Sequence, residues 1–293
     1  MTLDILIPYW GDPDLMIATT ASVVAQDDPR WRLTILDDQY PGDEVRTWVE
    51  SLGDERITYH VNERNLGITD NYRAAVGRAT QSHLTLLGCD DLLHPGYVGL
   101  MRSLVERHPD ADVFQPGVQV IDADGTPVLP LVDRVKQRLL TPRREVELRG
   151  PDMATSLIRG NWLYWPSLTF RTETLQRIDF RDGLPIIQDL ALLMDIAFEG
   201  GALVYSPVTA FSYRRHSGSA SQKTIVSGQR FRDERTYYRT ARELARRLGW
   251  RRTARAARWR LLSRLHGLAE LPGVLRSRSR AGISSTVAHI LAP

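Results

Sequence analysis

The first hundred residues alternate short apolar runs with stretches whose apolar positions recur every three or four residues. Leu3 to Pro8 reads as a buried strand, Asp14 to Gln26 as a helix, and Arg32 to Leu36 as a second strand ending at Asp37-Asp38. A helix over 43–52, a strand over 57–61, a helix over 69–79 and a strand over 83–87 follow. The last runs into Gly88-Cys89-Asp90-Asp91, and Pro95 stands where a further helix can start. This succession predicts an α/β fold, a mostly parallel sheet with helices on both faces. Ligands of such sheets bind beyond the carboxyl ends of the strands, and both acidic pairs fall there.

Beyond residue 100 the pattern is less regular. Strands are expected over 112–121 and 128–131, with the turn Asp122-Ala-Asp-Gly125 between them. Residues 133–149 are polar and poorly periodic, which predicts a mobile loop. Strands over 168–171 and 203–205 bracket a helix over about 188–199. From Gln229 onward two helices are expected, split at Gly249. One carries Phe231, Tyr238, Ala241, Ala245 and Leu248 on a stripe, the other Ala254, Ala257, Leu261, Leu265 and Leu268. Residues 277–293 show little pattern and are expected to fray. The organisation is therefore a body over 1–222 and a helical appendage over 223–293.

Charge sharpens that division. The 293 residues carry a formal charge of +3, yet 223–280 hold 17 basic and 4 acidic side chains while 1–222 hold 21 and 31. An acidic body bears a strongly basic tail. The composition, 42% hydrophobic and 25% charged, excludes a disordered chain or a fibre, and the lone Cys89 excludes an internal disulfide. No run reaches the ~20 apolar residues of a membrane span, and the N-terminus does not read as a signal peptide.

Two carboxylates at a strand end are costly to bury unpaired, although Asp also serves turns and caps. Two such pairs on alternating strands are expected to point into one crevice, where one pair could hold a nucleoside and the other a divalent cation. Mn²⁺ and Mg²⁺ take oxygen ligands and bridge carboxylates to phosphates. Neither GxxxxGK[ST] nor GxGxxG occurs, so a diphosphate would be neutralised by a carboxylate-held metal rather than a glycine loop.

The segments ILIPYWGDP, ASVVAQDDPRWRLTILDD, NERNLGITDNYRAA and LTLLGCDDLLHPGYV, in this order over residues 3–100, resemble the N-terminal half of family-two glycosyltransferases. A weaker resemblance continues through GNWLYWPSLTFR, PIIQDLALLMDIAFEGG and YRRHSGSAS to about residue 221. The resemblance implies the GT-A fold, a Rossmann-like sheet, and an inverting enzyme that uses a UDP- or dTDP-sugar. It puts Pro8 and Trp10 at the base pocket and Asp38 on the uracil or thymine imide. Asp90 would ligate the cation on the donor diphosphate, Asp189 would be the catalytic base, and His216 would reach back to the metal. From the residues themselves, Asp70 and Asn71 are expected to cap the third helix or to line the sugar pocket, and Asn71 and Asp91 are counted among the nucleotide-sugar-binding residues. Two positions depart from the pattern: Gly88 replaces the first acid of DxD, with Asp91 a candidate substitute, and Gln188 replaces the glutamate of xED.

The resemblance further implies a surface-glycan or lipid-linked saccharide acceptor, and the missing QxxRW motif and membrane spans imply a non-processive enzyme. A second reading, motivated by Gly88 and Gln188, is a non-catalytic sugar-nucleotide or glycan-binding protein. Residues 223–280 read either as helices packed on the acidic body or as a dock for an anionic membrane surface. No nucleic acid is expected as a partner, since no recognised binding motif accompanies the charge. The expected location is cytoplasmic, with peripheral contact at the inner face of the plasma membrane under the second reading of the tail.

Overall fold

The computed structural model describes residues 1–184, 186–215 and 227–291. Nine strands form one sheet: β1 (Leu3–Tyr9), β2 (Trp31–Asp37), β3 (Ile57–Val61), β4 (His83–Leu86), β5 (Leu92–Leu93), β6 (Val113–Ile121), β7 (Val146–Arg149), β8 (Thr169–Arg171) and β9 (Ala202–Arg214). Their order is β3-β2-β1-β4-β8-β6-β9-β5, with β7 also paired to β9. The first four strands are parallel, as the alternating pattern predicts; β8 then enters antiparallel between β4 and β6, and β6 pairs parallel with β9.

Period-two alternation sends the side chains of β1 to two cores. Leu3, Ile5 and Ile7 join Leu33, Ile35 and the helices Pro13–Val24, Glu44–Leu52 and Tyr97–Arg107 on one face. Leu6 joins Leu36, Leu84 and the helices Gly150–Arg159 and Gln188–Phe198 on the other. The C-terminal helices share this second core. Tyr237, Tyr238 and Ala241 of helix Gln229–Arg247 and Ala257 of helix Arg251–Trp259 are buried in it, and Trp250 stacks on Phe198 at 5.6 Å.

Four segments differ from expectation. Residues 128–131 form no strand: Pro127 makes an isolated bridge to Ile121, Val128 donates to the Val120 carbonyl, Pro130 has no N–H to extend a ladder, and Leu131 opens a helix. Residues 133–149 are not a loop: a short helix, Leu131–Val135, passes into a π-helical turn, Lys136–Leu140, and then into β7. The reason is long-range pairing. Asp133 is fully buried and takes two hydrogen bonds from Arg215, at 2.5 and 2.9 Å, and one from the Tyr164 hydroxyl at 3.0 Å. The second tail helix is broken in two, because Arg260 adopts a φ of 35° between Arg251–Trp259 and Leu261–Arg276. Residues 280–291 are helical and seat His289 against Phe231 at 4.7 Å between ring centres, where the sequence pattern predicts fraying.

Candidate active site

The loops after β1, β2 and β4 meet at the carboxyl end of the parallel strands. Pro8 lies in β1 opposite Leu36, and Trp10 follows it, 54% exposed and edge-on to Tyr40 at 5.8 Å. A Cβ on Gly11 would lie 2.9 Å from the Cys89 Sγ, so the loop carrying Trp10 touches the loop carrying Asp90. Cys89 itself has its thiol pushed up to about 12, first by burial and then by the Asp90 charge.

Both carboxylates of the first acidic pair are buried and hydrogen-bonded. Asp37 accepts from the Tyr59 hydroxyl and the Tyr40 N–H, both at 2.7 Å. Asp38 accepts from the N–H groups of Leu66 (2.7 Å) and Gly67 (2.8 Å) and from the Asn62 amide (2.9 Å). That amide also donates to Asn71 Oδ1 at 2.9 Å, while Asn71 Nδ2 donates to the Leu36 carbonyl. Asn71 therefore acts on Asp38 through Asn62, a residue that sequence reasoning missed. Asp70 does not cap the helix Ile68–Gly77; it pairs with Arg73 at 2.8 Å.

The second acidic pair is different. Asp91 is 1% exposed; its Oδ1 accepts from the Arg214 N–H at 2.8 Å, and its Oδ2 is buried with no hydrogen-bond partner. Burial, and then the Asp90 charge, push the Asp91 carboxyl well above the ordinary carboxylate range. A Cβ on Gly88 would lie 2.6 Å from Asp91 Oδ2 and 3.2 Å from Asp90 Oδ1, so oxygens of both carboxylates converge on the space above Gly88. The side chain missing at 88 is what lets Asp91 turn inward. An orphaned oxygen beside a second carboxylate is a hard-donor set that suits a divalent cation. Among the described residues no three His, Cys, Asp or Glu side chains gather as a metal cage, and His216 lies outside the described residues. Arg214, 6% exposed, braces this loop: besides its N–H, its side chain donates to the carbonyls of Asp90, Asp122 and Ala123.

Asp189 opens the helix Gln188–Phe198 and lines a cavity of about 490 Å³. Asn161 donates to its Oδ2 at 3.0 Å. Burial raises its pKa, opposed by the Leu190 N–H and by the charges of Arg230 and Lys136. The neighbouring Gln188 is buried and accepts from the Thr69 hydroxyl at 2.8 Å, so this departure from the family pattern clamps the helix Ile68–Gly77. Lys136, one of two lysines in the chain, also lines the cavity; burial pushes it down to about 8 as it donates to the Leu163 carbonyl at 2.7 Å. The rarity of lysine was the one signal in the sequence for it. Trp162 is core, whereas Trp165, three residues on, lines the cavity and meets Tyr72 edge-on at 6.0 Å. Tyr213 and Arg215, both cavity residues, flank Arg214, whose N–H donates to Asp91 and whose side chain donates to the Asp90 carbonyl, so cavity and acidic loop adjoin; burial, and then the Asp91 charge, push the Tyr213 hydroxyl up to about 12. The cavity's outer wall comes from the tail: Arg230 and Glu234 on one helix, Leu262, Leu265 and His266 on another.

A mixed sheet whose parallel half ends in carboxylates, flanked by helices and followed by C-terminal helices, defines a GT-A-like fold. Residues 4–165, more than half of the chain, match the model of Glycosyl transferase family 2, and the chain belongs to that family. The chain is similar over 90 residues, at 31% identity, to the putative colanic acid biosynthesis glycosyl transferase WcaA of Escherichia coli, covering 30% of this chain. It is similar over 127 residues, at 28% identity, to the uncharacterized protein y4gI of Sinorhizobium fredii, covering 42% of this chain. The matched segments span 32% and 14% of the lengths of these two relatives. Among solved structures, S. aureus TarS 1-349 superposes with a TM-score of 0.65 at 14% identity, over 99% of this chain and 81% of that one. The same protein in complex with UDP-GlcNAc gives 0.64 at 13% identity, over 99% and 90%.

Proposed function

We propose that this protein is a metal-assisted, inverting glycosyltransferase that moves a sugar from a UDP- or dTDP-sugar to a hydroxyl of a surface-glycan or lipid-linked acceptor. The observation that carries the reading is Asp189, a partly desolvated carboxylate held by Asn161 on the wall of a cavity that adjoins the Asp90–Asp91 loop through Arg214. TarS, with the same fold, has been crystallised with UDP-GlcNAc and with UDP, which supports a nucleotide-sugar donor here.

In this mechanism Asp38 and the Trp10 loop take the base, while Asp90 and Asp91, with His216 as a further ligand, would hold Mn²⁺ or Mg²⁺. The cation, when bound, neutralises charge on the departing nucleoside diphosphate. Asp189 accepts the acceptor's hydroxyl proton as that oxygen forms its bond to the anomeric carbon. The bond from the anomeric carbon to the phosphate oxygen breaks, and its electron pair leaves on the diphosphate. A carboxylate whose pKa is raised by burial binds that proton more strongly than an exposed one. Asn161 orients it, and Lys136 opposes the loss of negative charge.

Asp189→Asn is expected to keep UDP binding and lose transfer by about 10²-fold or more, whereas Asp90→Ala is expected to abolish metal-dependent UDP binding. Calorimetry with UDP and Mn²⁺, followed by a donor-hydrolysis assay, tests both. Full transfer by Asp189→Asn would refute the base assignment. UDP binding without any donor turnover in the native protein would favour a non-catalytic sugar-nucleotide-binding protein.

A further inference from the structure

The cavity beside Asp189 changes character from its floor to its mouth. Its polar residues include Asp189, Lys136, Arg215 and the Arg230–Glu234 pair, in which the charges meet at 3.1 Å. Leu131, Val132 and Leu265 also line it, yet they are 71%, 51% and 49% exposed, so they stand at its mouth. The two sides of this mouth come from segments over a hundred residues apart in sequence.

The apolar rim continues outward. On helix Leu261–Arg276, Leu261, Leu265, Leu268 and Leu275 are spaced four, seven and fourteen residues from the first, a single stripe, and each is about half exposed or more. Trp259 just before this helix and Leu139 beyond the other side of the mouth are exposed as well. Exposed arginines accompany both: Arg258, Arg276 and Arg278 with the stripe, Arg134 and Arg138 with Leu131 and Leu139. Scattered surface leucines are ordinary, but an ordered stripe running to the mouth of a cavity marks an interaction site.

Resting on the reading of Asp189 as the side where acceptors bind, we infer that the cavity receives an amphiphilic acceptor drawn from an anionic bilayer. Its hydroxyl-bearing head lies at Asp189, and its apolar chain leaves over the leucine rim into the lipid. A water-soluble glycan would gain nothing from leucines at the mouth, whereas an alkyl chain gains apolar contact along the whole exit. Charge selects the bilayer over a second copy of the chain. Two tails with 17 basic against 4 acidic side chains repel each other, while anionic headgroups attract arginines flanking an apolar stripe. No helix among the described residues is long and apolar enough to cross a membrane, so the contact lies in the interface.

The test uses the full chain and three probes. Flotation compares vesicles of phosphatidylglycerol and phosphatidylcholine with vesicles of phosphatidylcholine alone. Tryptophan fluorescence, for which Trp165 in the cavity is a reporter, follows binding of alkyl glucosides from methyl to dodecyl below their micelle concentrations. Calorimetry with UDP and Mn²⁺ reads the donor site. Expected are flotation with the anionic vesicles only, and glucoside affinity rising about three- to fourfold per added methylene. The exposed double variant Leu131→Asp, Leu265→Asp is expected to lose both while keeping its melting temperature and UDP binding. Glucoside binding that ignores chain length, or flotation unchanged in the double variant, would overturn the inference. So would a dimer in sedimentation that this variant dissolves, since a second copy would then cover the rim. Failure of the native protein to bind UDP counts against the proposed function instead, and leaves the lipid measurements to be judged on their own.

Discussion

Replacing Asp133 with Asn removes a charge that has no solvent to return to. The carboxylate is fully buried, fixed by two nitrogens of Arg215 and by the Tyr164 hydroxyl, and both of these partners line the Asp189 cavity. Breaking a fully buried ion pair costs about 3–5 kcal/mol because the surviving charge is stranded. Arg215 keeps 34% of its side chain exposed, so water relieves part of that, and Asn retains one acceptor for the guanidinium. About 2–3 kcal/mol remains, or roughly a 30- to 150-fold rise in the unfolding equilibrium and about 3–5 °C in Tm for a chain of this size. Urea denaturation measures the total. Hydrogen exchange separates a local effect from a global one, and amides of 131–149 are expected to lose protection first. A double-mutant cycle with Arg215→Gln isolates the pair and is expected to return a coupling of about 1 kcal/mol or more. A coupling near zero, or unchanged exchange in 131–149, would refute the claim that this ion pair turns a polar segment into a cavity wall.

Gly88→Ala puts a methyl 2.6 Å from Asp91 Oδ2, and calorimetry should show metal-dependent UDP binding lost with Tm within a few degrees of native; unchanged binding would mean that the carboxylates do not act together there. Thr69→Val removes the hydroxyl that Gln188 accepts from at 2.8 Å and is expected to lower stability by about 1 kcal/mol, read as a shift in urea midpoint at constant slope. Acid should destabilise the fold through His83 and His289, both buried and pushed down to about 4. Between that value and the ordinary histidine pKa of about 6.5 the unfolded chain binds more protons than the folded one, so stability is full above this window and falls as pH drops through it. A Tm profile from pH 7 to about 4, flattened in His289→Gln, checks the sign.

Much of the parallel half was legible because its signals are local. The strands of 3–8, 32–36, 57–61 and 83–87 and the helices between them follow from periodicity within windows of about ten residues. The positions of Asp38, Asp90 and Asp189 came from ordered motifs, and the structure puts Asp90 with Asp91 above Gly88 and puts Asp189 in the cavity. Their environments were not legible. Nothing adjacent to Asp38 announces that Asn62, Leu66 and Gly67 turn back to it, and nothing near Asp91 announces Arg214, 123 residues away.

The C-terminal third shows the limit most clearly. Charge distribution and apolar periodicity together determined that a basic, helical segment follows an acidic α/β body, since both can be counted along the chain. Only the tertiary structure decided that this segment walls the cavity beside Asp189, that 133–149 is ordered by a partner at 215, and that residues 280–291 hold a helix. Those outcomes depend on burial and on pairing between groups distant in sequence. A polar stretch is a loop or a wall according to whether its charge finds a buried partner, and that partner exists only once the chain has folded.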